Sequence, residues 1–312
     1  MSISWGTIGC IMVTCVCVGC AGPGLEICFI DTVGGAATLI VTPERETILI
    51  DGGWPIERDA QRILDALRDT ARRPRIDHMI VTHWHTDHYG AITLLGDRVE
   101  FGQFYDRGLP EAWLLDPAQM PDQMRAYQRL TSGPTITMAA GDEIPLRQGL
   151  IGPRLRLRCL MASGRVDENI AGSPNPYCAQ HEDKGTDLSE NGLSIVLLLS
   201  YGPFDFFLGG DLTWNFERDL VCPKNRVGQV ELFQVNHHGL RSSNNPVLVH
   251  ALAPRTAVMF NGPEKGADQE VLETLRRSPG IQDFWQLHRN TRLSATEQAP
   301  SERVANPDDP EG

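Results

Sequence analysis

The sequence predicts an α/β protein in which two similar halves pack sheet against sheet, with helices on the outside. Three observations carry this. Each half runs as short β-prone strands followed by helix. In each half a strand ends by delivering a cluster of polar residues. Those polar residues come from both halves, so the two form one domain rather than two.

Residues 25–30 are apolar and β-prone, 31–35 supply turn chemistry, and 37–42 form a second strand. A turn at 43–46 leads to a third strand over 47–50, which ends at Asp51-Gly52-Gly53. Residues 59–68 read as an amphipathic helix, with Ile63, Leu64 and Leu67 on one face. A buried-type strand over 76–82 then runs directly into His83-Trp84-His85-Thr86-Asp87-His88. The course returns in the second half. Strands are expected over 155–161, 193–201 and 204–208, the last ending at Gly209-Gly210-Asp211. Residues 230–235 lead into Asn236-His237-His238-Gly239, 257–260 form a final strand, and 268–277 a final helix. Residues 120–130 are expected as a helix. The polar stretch 165–190 is too long for a simple connector and is expected to border a site. From residue 296 the chain turns polar and acidic, so 296–312 are expected to be a disordered tail.

With 41% hydrophobic and 22% charged residues, the composition is that of an ordinary globular protein. The formal net charge of −12 and a pI near 5.2 argue against stable nucleic-acid binding, which needs a basic face. The densest basic clusters, Arg72/Arg73/Arg75 and Arg154/Arg156/Arg158, are short, and the second alternates as a solvated strand face does.

Residues 1–24 read as a leader. The apolar run 8–18 suits a signal-peptide core and is too short to span a bilayer, so no transmembrane segment is expected in the mature chain. Residues 1–7 carry no Lys or Arg, which departs from an ordinary leader. Val18-Gly19-Cys20 is similar to a lipoprotein cleavage site, with Cys20 as the lipid-anchored residue. The expectation is export. Of eight cysteines, four fall in this leader. Among the others, Cys178 and Cys222 sit in loop-like, Pro-flanked contexts and form the expected disulfide. Cys28 and Cys159 sit in strand-like runs and are expected as buried thiols.

Four potential metal ligands lie within six residues at the end of a buried-type strand. His83 and His85, two apart in extended backbone, point to one side. Asp87 and His88 follow where the chain turns. A single histidine is usually a packed residue. Three histidines and an aspartate without a basic partner are hard to explain as packing.

The pattern His-x-His-x-Asp-His resembles the metallo-β-lactamase superfamily. Asp51 before Gly52-Gly53 is similar to its site-orienting aspartate, and Asp211 to the aspartate that bridges two metals. Asn236-His237-His238-Gly239, the opening 29–35 and the 191–194 segment resemble the ComEC-type branch. The resemblance spans about 25–288. It implies a four-layer αββα sandwich over 25–295, two mixed sheets face to face, with a hydrolytic site at the open sheet edges. It implies two divalent metal ions, zinc or manganese, held by His83, His85, Asp87, His88, Asp211 and His237. His237 is preferred over His238 as the last ligand, leaving His238 as a catalytic donor beside Asp87 as proton acceptor. One departure stands out: most members carry another histidine between the second motif and the bridging aspartate, where this chain, as the ComEC-type branch tends to, has Asn191, expected to orient the site beside Asp51. His181, the only histidine in that interval, lies in a polar loop and is expected to be solvated.

Weaker candidates for substrate contact are Asn261, Lys265 and His288. The expected activity is hydrolysis of a small phosphoester or phosphodiester by a metal-activated water. Amide or lactone hydrolysis is the alternative. A degenerate binding module would predict more lost ligands than one.

Overall fold

The computed structural model describes residues 24–131, 133, 135–185 and 187–307 in full, and 2–5 and 10–15 as backbone. Two eight-stranded sheets form its centre. The first consists, in spatial and chain order, of β1 (Ser2–Trp5), β2 (Cys10–Cys15), β3 (Leu25–Ile30), β4 (Thr38–Val41), β5 (Thr47–Ile50), β6 (Arg75–Ile80), β7 (Glu100–Asp106) and β8 (Thr135–Thr137). Pairing is antiparallel from β1 to β5 and parallel from β5 to β8, with Ile50 opposite Ile80.

The second sheet draws on β9 (Leu155–Ala162), β10 (Arg165–Val166), β12 (Val196–Tyr201), β13 (Phe204–Leu208), β15 (Leu232–Gln234), β16 (Thr256–Met259), β17 (Asp283–His288) and β18 (Val304–Asn306), in spatial order 10-9-12-13-15-16-17-18. Here too the pairing is antiparallel up to β13 and parallel beyond it. A two-stranded ribbon joins β11 (Ser173–Pro174) to β14 (Lys224–Asn225).

Strand alternation builds the layers. Along β3, Ile27 and Phe29 face the interior between the sheets, while Cys28 and Ile30 face outward. Along β13, Phe206 and Leu208 point inward and Phe207 outward. Phe29 meets Phe206 and Phe260 across the two sheets at centroid distances of 5.7 and 5.5 Å. Each such fully buried side chain is worth about 2–3 kcal/mol of burial.

The outer face of the first sheet is covered by α1 (Glu57–Ala66), α2 (Thr86–Tyr89), α3 (Ile92–Leu95), α4 (Glu111–Leu115) and α5 (Asp122–Leu130). The second is covered by α6 (Trp214–Val221), α7 (Pro246–Leu252) and α8 (Gln269–Arg277). The predicted αββα sandwich is therefore present.

Cys178 and Cys222 are joined, and Cys28 and Cys159 are buried thiols, as expected. The tail differs from expectation. Val304 is buried and β18 extends the second sheet, because Gln286 and His288 of β17 offer an open edge for it. Residues 308–312 lie outside the described residues. Of the expected leader, only the backbone of β1 and β2 is described; Cys20 lies outside. No helix among the described residues is long and apolar enough to cross a membrane.

Candidate metal centre

The site gathers where parallel strands of both sheets end, the position at which α/β sheets bind ligands. Asp51 follows β5 directly, with φ of 59°. Its carboxylate accepts hydrogen bonds from Thr82 N, Thr82 Oγ1 and His88 Nδ1, each at 2.8 Å. Because its Nδ1 is engaged by Asp51, His88 turns Nε2 toward the site. His83 is held in the same way. Its Nδ1 lies 3.1 Å from Thr82 Oγ1, and its Nε2 lies 3.1 Å from His85 Nδ1.

From the second half, Asp211 enters on the loop after β13. Its Oδ1 is 3.2 Å from His88 Nε2, and its Oδ2 is 3.3 Å from His238 Nε2 and 3.9 Å from His83 Nε2. His238 donates Nδ1–H to Phe260 O at 3.0 Å, so its Nε2 also faces inward, 3.2 Å from Asp87 Oδ2. Ligand atoms of Asp87, His88, Asp211 and His238 all lie within 4.8 Å of one another, and so do those of His83, His85 and Asp211. Asp211 belongs to both groups.

The electrostatics suit cations. Burial favours the neutral carboxyl of Asp211, but the imidazoles of His88, His238 and His237 outweigh it and hold the group well below the usual range. Asp87 is likewise lowered against burial, by His88, His238 and Lys265. Burial opposes charge on His88, yet Asp211, Asp51 and Asp87 raise its pKa well above normal. His83, fully buried and next to the His88 charge, is pushed well below normal and is neutral, the form that binds metal. A buried donor set of imidazoles and carboxylates fits divalent zinc, manganese or iron.

Residues 30–158 match the family model described as the metallo-beta-lactamase superfamily. That segment includes Asp51 and the whole His83–His88 cluster, and stops short of Asp211. A 61-residue stretch is 39% identical to the atrochrysone carboxyl ACP thioesterase of Aspergillus terreus, covering 20% of this chain and 18% of that protein. The chain thus spans less than a fifth of that curated relative. Among solved structures, the diiron beta-hydroxylase CmlA of Streptomyces venezuelae is similar at 16% identity and a TM-score of 0.49, over 83% of this chain and 53% of that one. The metallo-beta-lactamase fold protein YhfI of Bacillus subtilis is similar at 9% identity and a TM-score of 0.46, over 83% and 96% of the two chains.

The structure brings His83, His85, Asp87, His88 and Asp211 together. It exchanges the last two histidines. His238, not His237, faces Asp87 and His88, because both residues adopt left-handed backbone (φ 51° and 55°) and no strand alternation orders them. His237 turns toward Asn191, whose Nδ2 lies 3.1 Å from its Nε2, and toward the hydroxyls of Ser242 and Ser243. It sits 3.6 Å from Asp211 Oδ2 and lines a cleft of about 420 Å³ with Asn191, Thr213, Trp214 and Lys184.

Two weaker candidates fall away. His288 is buried and bonded to Asp31 at 2.7 Å, in a clamp that also holds Arg62 and Asn306, so it joins the two halves instead of lining a pocket. Asn261 is buried and donates to Gly262 O and His288 O. Lys265 does reach the site, where its ammonium contacts Asp87 Oδ2 beside the ring of Trp54. His181 is engaged by Asn245 Nδ2 at 2.9 Å and belongs to neither ligand group.

Two contributors were not singled out in the sequence, although Glu190 ends the polar stretch expected to border a site. Glu190 accepts from Trp84 N at 3.1 Å and from Arg107, fixing the motif loop. Glu217 accepts from Asn236 Nδ2, Asn244 N and Asn245 N on either side of the second pair of histidines. For Glu217, an acidic residue on the buried face of an amphipathic helix is the only trace the sequence could carry.

Proposed function

We propose that the chain is a binuclear metal-dependent hydrolase that cleaves a small phosphodiester. The observation that carries this is Asp211, a buried carboxylate common to two compact ligand groups. His83, His85 and Asp211 would hold one ion; Asp87, His88, Asp211 and His238 the other. When bound, two divalent cations polarise an ester and acidify water.

The chain's own residues do the rest. Asp51 and Phe260 O fix the tautomers of His88 and His238. In this reading Asp87 accepts a proton from the attacking water, and the Lys265 ammonium in contact with it favours an anionic ester over a neutral one. The cleft beside His237 and Asn191 offers room for the leaving portion. Export is part of the proposal, and the Cys178–Cys222 disulfide supports it, since such bonds persist in oxidising compartments.

Thioester hydrolysis is a second reading, favoured by the 39% identity to a thioesterase over 61 residues. The test is metal analysis of purified protein alongside cleavage of bis(p-nitrophenyl) phosphate and of a short S-acyl thioester, with and without added manganese or zinc. Two metals per chain and metal-dependent phosphodiester cleavage are expected. Thioester cleavage alone would replace the first reading with the second; no metal uptake would sink both.

A further inference from the structure

We propose that Glu217 is a positioning residue that holds the two-histidine loop in its metal-accepting shape. Only the identification of the ligand as a metal rests on the reading above.

Glu217 lies on α6, on the segment that begins at Asp211, and its side chain is fully buried. Its Oε1 accepts from Asn236 Nδ2 at 2.6 Å and from Asn244 N at 2.8 Å, and its Oε2 accepts from Asn245 N at 2.6 Å. One carboxylate therefore pins both ends of the segment 236–245. Asn244 completes the closure: its Oδ1 accepts from Asn236 N at 3.1 Å, and its Nδ2 donates to Asn236 O at 2.9 Å.

Between these anchors lie His237 and His238, both with left-handed backbone that non-glycine residues resist. Such strain persists only where the surroundings over-determine it. The neighbouring strand end makes room for the brace, since a Cβ at Gly209 would stand 2.2 Å from Asn236 Oδ1. An amide cannot substitute for the carboxylate. Three N–H donors converge on two oxygens, and glutamine would turn its own NH2 group toward at least one of them. Burying a carboxylate is unfavourable, and nothing in the packing of α6, which Leu220 and Val221 secure, calls for one. Its evident use is the geometry of the loop that carries His238.

The experiment uses the full chain as wild type, Glu217→Gln, Glu217→Asp and Leu220→Ala. Leu220 is fully buried on the same helix and serves as a control for stability loss alone. Zinc affinity is measured by competition with a chelator, with zinc per chain by elemental analysis. Amide hydrogen exchange over 236–245 is followed on metal-free protein. Glu217→Gln should weaken one zinc at least tenfold and speed exchange in that segment. Glu217→Asp, which keeps both acceptor oxygens, should recover part of each, and remains informative if the Gln variant does not fold. Leu220→Ala should lower the melting temperature while leaving zinc affinity near wild type. Wild-type zinc binding in Glu217→Gln, or equal zinc loss in Leu220→Ala, would overturn the proposal. If wild-type protein takes up no zinc, the hydrolase reading falls, and unchanged exchange in Glu217→Gln would separately remove Glu217 from its role.

Discussion

Replacing Asp211 by asparagine keeps its shape and removes the charge that both ligand groups share. With an effective dielectric of about 20, opposite unit charges 3.3 Å apart attract by about 5 kcal/mol. Asp211 makes such contacts with His88 at 3.2 Å and His238 at 3.3 Å. Those imidazoles can shed their protons in the variant, so the net loss should fall to the roughly 3–5 kcal/mol found when one partner of a buried ion pair is removed. At about 2 °C per kcal/mol for a domain of this size, the metal-free protein should melt roughly 6–10 °C lower. The sign with pH follows from the lowered pKa of Asp211. Its contribution is present above the ordinary carboxylate range and is lost as pH falls through the folded-state value. Calorimetry of chelator-treated protein at neutral pH measures the shift, and elemental analysis after zinc dialysis measures occupancy, expected to fall from two ions per chain to none. A variant that keeps two ions, or melts within a degree of wild type, would refute the assignment of Asp211 as the shared ligand.

Other outcomes follow from the same geometry. His181→Ala should leave zinc per chain and turnover unchanged, because His181 is engaged by Asn245 and not by either ligand group; equal losses from His181→Ala and Asp211→Asn would show the ligands misplaced. Cys178→Ser with Cys222→Ser opens a link across 44 residues, and the chain-entropy relation puts the loss at about 4 kcal/mol, read by urea unfolding with wild type under oxidising conditions. Burial pushes the Asp59 carboxyl up to about 6, against its bonds to Trp54 N and Arg58. Its stabilising contribution is fully present below the ordinary value of 3.8 and lost as pH rises through 6, about 3 kcal/mol in all. Between pH 8 and pH 5, wild type should gain about 1.4 kcal/mol that Asp59→Asn does not, measured by urea unfolding at the two pH values.

Much of this protein is legible along the chain because its signals are local. Runs of apolar, β-prone residues specify strands buried on both faces, and β3 and β13 fall on the segments so expected. The His83–His88 cluster is legible because four potential ligands within six residues have no ordinary packing explanation. The Cys178–Cys222 pair was legible from its loop contexts.

What the chain could not decide by itself depends on contacts between distant segments. His237 and His238 are adjacent, and which one faces Asp87 follows from left-handed backbone braced by Glu217 and from the acceptor Phe260 O. His288 could have lined a pocket until Asp31, 257 residues away, claimed its ring. The acidic C-terminal stretch looked unable to fold alone, and it gains order only because β17 leaves an open edge for β18. Local sequence thus specifies which side chains can bind a metal and which faces are apolar. Only the folded chain sets where a buried polar atom finds its partner, since that partner is supplied from far along the sequence by packing no local pattern encodes.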